Sequence, residues 1–135
     1  TVQIQILLLL RQLRDELGMA IMLVTHDIGV AVEIADKMAV MYAGRFVETG
    51  PVRDVFRKPA HPYTNGLMAS TVKRANRGKR LSAIDGSPPD LASLPPGCAF
   101  APRCGRSSET CKTTVPPVDT IEALHTTACF HPVAA

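Results

Sequence analysis

The 135-residue chain has no tryptophan, and its only aromatic residues are four phenylalanines and two tyrosines. A core built from aliphatic side chains is therefore expected. Nor is there an Arg/Lys stripe interleaved with aromatics, and the net charge of +3 is too mild to argue for a nucleic-acid partner. Apolar runs such as Ile6 to Leu10 fall far short of the ~20 residues that a membrane-spanning helix takes. A basic leader followed by a small-residue cleavage site is also missing, so the expected compartment is the cytosol. The first residue is Thr1, which leads straight into a helix-like stretch. We expect such a start of a chain cut within a domain, whether by truncation, processing or trimming. Finally, no G-x-x-x-x-G-K-[ST] occurs, so these residues do not supply that phosphate-cradling loop.

What is present falls into two halves of different character. Residues 1–72 read as alternating helix and strand, an α/β pattern. "TVQIQILLLLRQLRDELG" carries a helical stripe at 6, 9, 10, 13 and 17, widened by Leu7 and Leu8, and Gly18 is a natural stop. So broad a stripe predicts a helix buried on more than one side. "MAIMLVT" is a continuous apolar run, the pattern of a strand covered on both faces in a parallel sheet. Asp27 suits the N-cap of a helix through "IGVAVEIAD". "KMAVMYAGRFVETG" predicts two strands around a tight turn at Ala43-Gly44. Short helices are predicted for "PVRDVFRK", opened by Pro51, and for "HPYTNGLMAST", with Pro62 near its start.

Beyond Thr71 the composition changes. Lys73, Arg74, Arg77, Lys79 and Arg80 form a basic linker over residues 73–80. Such a run is either a solvated connector or a patch for anionic lipid head groups, which liposome binding at low and high salt would separate. Residues 81–135 hold eight of the eleven prolines and all four cysteines. With so few periodic apolar residues this segment buries little surface, and a staple is expected to hold it.

Two sets of residues carry chemistry. His26 closes the "MAIMLVT" run, and the C-terminal ends of parallel strands are where open α/β sheets place their ligands. A neutral imidazole donates one hydrogen bond and accepts another, so it can touch a phosphate oxygen and orient a water; a histidine without a role would look the same in isolation. The cysteines, Cys98, Cys104, Cys111 and Cys129, are spaced C-x5-C-x6-C-x17-C. Structural disulfides are rare in the cytosol. Structural zinc sites usually include a close C-x2–4-C pair, which is absent, whereas a four-thiolate iron–sulfur cluster accepts a looser loop. Spacing leaves zinc, iron–sulfur and free thiols all open. His125 and His131 are further candidate ligands in a mixed site.

The order of these pieces resembles a known family. "LVTHDIGVAVEIADKMAVMYAGRFVETGPVRDVFRKPAHPYTNGLMAS" is similar to the closing part of an ABC-transporter ATPase. In that family a strand ends in Thr-His-Asp, and a helix, a strand pair and a "P-x-x-[DE]-[VI]-[FL]" helix follow. "TVQIQILLLLRQL" resembles the helix after the family's D-loop. "PAHPYTNGL" narrows the likeness to oligopeptide/dipeptide importers. "GCAFAPRCGRSSETCKTTVPP…TTACFHP" looks like their cysteine-rich extension, "G-C-x-F-x-x-R-C-x-x-A-x-x-x-C" with a later Cys. Here Ser107 stands where that pattern has alanine.

The resemblance implies an α/β fold: the C-terminal part of an ABC-ATPase nucleotide-binding domain (1–72), the linker (73–80), and an irregular, metal-stapled extension (81–135). It implies a peptide-importing ATPase with ATP and Mg2+ as cofactors, in which His26 contacts the γ-phosphate and holds the attacking water. A 4Fe–4S cluster on Cys98, Cys104, Cys111 and Cys129 is implied too, with zinc as the alternative and Arg103 as a hydrogen-bond donor to its sulfurs. The implied partners are a second ATPase subunit, the transmembrane permease subunits and, indirectly, a peptide-binding protein, at the cytoplasmic face of the membrane. The family's Walker A loop, Q-loop, signature and Walker B carboxylates are not found in this chain, and we expect them to precede Thr1. Without them the 135 residues alone are expected to be inactive. The rival expectation is a stand-alone iron–sulfur or zinc interaction module with no ATPase role.

Overall fold

The computed structural model describes residues 2–70 and 84–133, and the chain forms two compact units, Thr1–Ala35 and Asp36–Ala135. The basic linker lies outside the described residues. The boundary between the units falls at 35/36, well before the change of composition after Thr71. Consequently the strand pair and short helices of the first half belong to the same unit as the cysteine-rich segment.

The first unit holds two helices. Helix α1 (Val2–Leu17) ends at the expected stop, and α2 (Ile28–Ile34) follows. Asp27 caps α2 as anticipated, its side chain accepting the Val30 N–H at 3.2 Å. Two expectations fail here. The apolar stripe of α1 is not covered: Ile4, Ile6, Leu8, Leu9 and Leu17 are all exposed. Residues 19–25 form no strand, and Met22 and Val24 are 92% and 91% exposed. A strand exists only through a ladder with a neighbour, and among the described residues nothing pairs with this run.

The second unit is built on a four-stranded antiparallel sheet of order β1-β2-β4-β3. Strands β1 (Lys37–Tyr42) and β2 (Arg45–Pro51) form the predicted hairpin. Its turn residues Ala43 and Gly44 have φ of 48° and 77°, the paired positive values that match the twist of the strands. Helices α3 (Val52–Arg57) and α4 (Pro62–Ser70) follow as expected. After a 3-10 turn (Ala101–Arg103) and a short helix α5 (Glu109–Thr113), the tail contributes β3 (Asp119–Glu122) and β4 (His125–Thr127). β4 pairs with β2 through Glu48–Thr127 and Thr49–Thr126, so the extension adds directly to the hairpin sheet. The Thr49 and Thr126 hydroxyls meet at 2.9 Å, Ala128 N–H donates to the Val47 carbonyl at 2.9 Å, and Val133 N–H donates to that of Ala60 at 2.7 Å.

The core corrects the expectation of a purely aliphatic interior. Val40, Val47 and Val55 surround an aromatic cluster. Tyr42 packs edge-on against Tyr63 and Phe100 at 4.6 and 5.2 Å, and Tyr63 meets Phe100 at 5.4 Å. Half of the chain's six aromatic residues are thus gathered in one place, with Phe100 supplied by the extension. The antiparallel sheet also differs from the parallel arrangement anticipated around residues 19–25, although a mixed α/β architecture holds.

Candidate functional site

The four cysteines come together. Cys98, Cys104, Cys111 and Cys129 line one cavity, with His61, Phe100 and His131 among the other wall residues. None is in a disulfide. Gly97 makes this convergence possible: a Cβ there would fall 2.6 Å from the Lys112 carbonyl carbon and closer still to the Cys111 oxygen. Lacking one, the backbone approaches α5 closely enough for Cys98 N–H to donate to the Cys111 carbonyl at 2.7 Å.

Main-chain donors face two of the sulfurs. Phe100 and Ala101 N–H groups point to Cys98 Sγ. His131 N–H donates to Cys129 Sγ at 3.4 Å. At a third, Ser108 Oγ lies 3.4 Å from Cys111 Sγ and 2.8 Å from His131 Nε2. Burial pushes the Cys98 thiol up, against those two N–H groups; it pushes Cys129 up to about 11, with the other three cysteines adding repulsion. Left alone, these two groups stay protonated at neutral pH. Four thiolates at one cavity require a cationic occupant to offset both burial and mutual repulsion.

By donor type the set fits an iron–sulfur cluster: four thiols, N–H groups directed at sulfur, and an apolar wall. Against the expected metal staple, however, no group of three or more His, Cys, Asp or Glu among the described residues is arranged to hold a metal ion. The extension is instead tied to the rest of its unit by the β2–β4 pairing and by a buried polar hub. That hub is Glu48, 1% exposed on β2. Its carboxylate accepts Ala60 N–H and His61 N–H, each at 2.8 Å, and meets His125 Nε2 at 2.7 Å. A carboxylate only accepts, so the His125 nitrogen donates.

His125 is thereby removed from the candidate ligands, being engaged 77 residues away in sequence. His131 does reach the cysteine cavity, but its ring is bonded to Ser108. Among the described residues Arg103 makes no hydrogen bond to a sulfur, and it does not merely face solvent. It donates to the Asp85 and Ile84 carbonyls at 2.8 and 3.1 Å and to the Tyr42 hydroxyl at 3.3 Å, fastening the loop at 84–86 to the core. Two residues escaped the sequence reading. Glu48 lies within the strand pair of the resemblance but was assigned no role there, and nothing in its strand position marks it as a buried charge. His61 was visible solely as the first letter of "HPYT".

His26 lies in the first unit, exposed, just before the Asp27 cap of α2. The Thr25 hydroxyl accepts the Asp27 N–H at 3.0 Å, which shapes the bend at His26. No helix among the described residues is long and apolar enough to cross a membrane.

Comparison with known proteins bears on both units. Residues 47–111 match the family described as oligopeptide/dipeptide transporter, C-terminal region. Over 96% of the chain the sequence is 48% identical to a putative peptide import ATP-binding protein of Brucella ovis. It is 45% identical over 98% of the chain to the oligopeptide transport ATP-binding protein of Salmonella typhimurium, and 42% over 96% to the dipeptide transport ATP-binding protein of Bacillus subtilis. The chain spans 40%, 39% and 39% of the lengths of those relatives. Residues 47–111 are thus similar to that C-terminal region, and nearly the whole chain aligns with the ATP-binding proteins named above.

Proposed function

We propose that the chain is the C-terminal portion of the ATP-binding subunit of a peptide-importing ABC transporter, coupling ATP hydrolysis to oligopeptide or dipeptide uptake. Carrying this reading is one observation: nearly the whole chain aligns, at 42–48% identity, with proteins named for that task. In the intact subunit, residues 1–72 end the nucleotide-binding domain, 73–80 link, and 81–135 form the cysteine-bearing extension. The partners are a second ATPase subunit and the permease subunits, with a peptide-binding protein acting indirectly. The subunit sits peripherally at the cytoplasmic face.

His26 is the residue of this chain assigned to the reaction. Phosphoryl transfer is limited by positioning and charge stabilisation rather than by covalent chemistry. One imidazole nitrogen donates to a γ-phosphate oxygen of ATP while the other accepts from the attacking water, fixing its line of approach. Mg2+, when bound, neutralises charge on the phosphates. The expected loss on His26→Ala is about 10²-fold in ATP hydrolysis by the full-length subunit in proteoliposomes, with ATP still bound. Hydrolysis at the parent rate would contradict the assignment. Phosphate release above background from the 135-residue chain alone would contradict its expected inactivity.

Cys98, Cys104, Cys111 and Cys129 hold a 4Fe–4S cluster in this proposal, and their convergence on one cavity supports it. When bound there, such a cluster would supply cationic iron to offset the thiolate charge, and one-electron redox capacity. The residues themselves fix one contact between α5 and the preceding loop, from Cys98 N–H to the Cys111 carbonyl. Anaerobically purified protein should contain iron and sulfide in equal amounts. Zinc alone would overturn the cluster.

A further inference from the structure

Three buried polar side-chain atoms among the described residues have no hydrogen-bond partner: His61 Nε2, Thr64 Oγ1 and Ser107 Oγ. Of these residues only His61 lines the cysteine cavity. It is 1% exposed, out of reach of bulk water. Its other nitrogen, Nδ1, accepts the Tyr63 N–H at 3.1 Å. A neutral imidazole carries one proton; with Nδ1 accepting, that proton resides on Nε2. A buried donor of this kind costs about 1–3 kcal/mol while unpaired. The ring is also firmly held: its backbone N–H donates to Glu48, Pro62 opens α4 directly after it, and Phe100 packs at 5.9 Å.

We infer that His61 is a positioning residue that donates its Nε2–H to a sulfur of the group held by Cys98, Cys104, Cys111 and Cys129. This rests on the cluster reading above. A hydrogen bond to sulfur offsets negative charge, so it favours the reduced state and raises the reduction potential. It also gives a partner to the one wall residue of this cavity whose buried polar atom lacks one among the described residues. The same residue links the cavity to the Glu48 hub, which is bonded to β4 through His125.

The test is the reduction potential of the full-length subunit, purified anaerobically, with iron and sulfide content measured on the same samples. Two variants serve. His61→Phe removes the donor but keeps a ring; His61→Gln retains an N–H donor of similar reach. The expected result is equal iron and sulfide in all three proteins, a parent-like potential for His61→Gln, and a lowered one for His61→Phe. The fall should shift the redox equilibrium at least tenfold, which is 59 mV for one electron. An unchanged potential in a fully loaded His61→Phe protein overturns the hydrogen bond and leaves the cluster standing. Absence of iron and sulfide from the parent overturns the cluster reading and this inference with it. If His61→Phe loses the cluster, His61→Gln decides: retention at the parent potential supports the inference, and loss in both overturns it.

Discussion

The two units differ in how they relate to their own hydrophobic residues. From residue 4 to residue 35 no side chain is buried, although leucine and isoleucine abound there. From Asp36 onward a proportionally sparser apolar supply is gathered around Tyr42, Tyr63 and Phe100, and even a glutamate, two histidines and two threonines are enclosed. Apolar content alone therefore does not make a core. What differs is complementarity: the second unit brings its own neighbouring strands, whereas residues 19–25 have none among the described residues. The residue proposed to contact ATP, His26, belongs to the unit without a core among the described residues, and the cysteine cavity to the unit that has one.

This contrast can be broken at its strongest point first. Glu48→Ala leaves Ala60 N–H, His61 N–H and His125 without their acceptor inside the core. The expected destabilisation is about 3–5 kcal/mol, read by urea unfolding followed through tyrosine fluorescence. An unchanged midpoint would mean the hub contributes little. Gly97→Ala pushes a methyl group into the α5 backbone, and about 3 kcal/mol should be lost, with poorer convergence of Cys98 and Cys111.

A pH effect follows from His61. Burial lowers its pKa from the usual 6.5 to about 4, so between these values the unfolded chain binds the proton and the folded chain does not. Stability is thus full above about pH 6.5 and falls as pH drops toward 4, by roughly 3 kcal/mol at most. In His61→Phe that share of the acid sensitivity should vanish; an identical pH profile would count against the assignment.

Smaller effects belong to the first unit. Asp27→Ala removes the cap of α2 and should weaken that helix by about 1 kcal/mol, visible as faster amide exchange at residues 30–34. Leu9→Ala, on an exposed position, should change the stability of the 135-residue chain by less than about 0.5 kcal/mol. A large loss there would show that α1 is packed after all.

How far the sequence carries is clear from particular elements. The hairpin at 37–51 was legible because Ala43-Gly44 has a local turn preference, and α2 because Asp27 caps it within three residues. Strands β3 and β4 were not, since β3 is exposed throughout, β4 has only three residues and is specified by pairing with β2 from far along the chain, and β3 in turn pairs only with β4. The strand at 19–25 was misjudged for the opposite reason. Its apolar pattern encodes a partner, and a pattern does not say where that partner comes from. The cysteines could be named from their spacing and context, yet His61 and Glu48 emerge only once burial and bonding are known.

The proposed function carries one central prediction: residues 19–25, which lead into His26, become a strand when the rest of the proposed ATP-binding subunit surrounds them. Amide hydrogen exchange, measured on the 135-residue chain and on the full-length subunit, tests this most directly. The account predicts rapid exchange at residues 19–25 in the short chain and strong protection in the full-length protein, with residues 38–50 protected in both. Rapid exchange at residues 19–25 in the full-length subunit would contradict it.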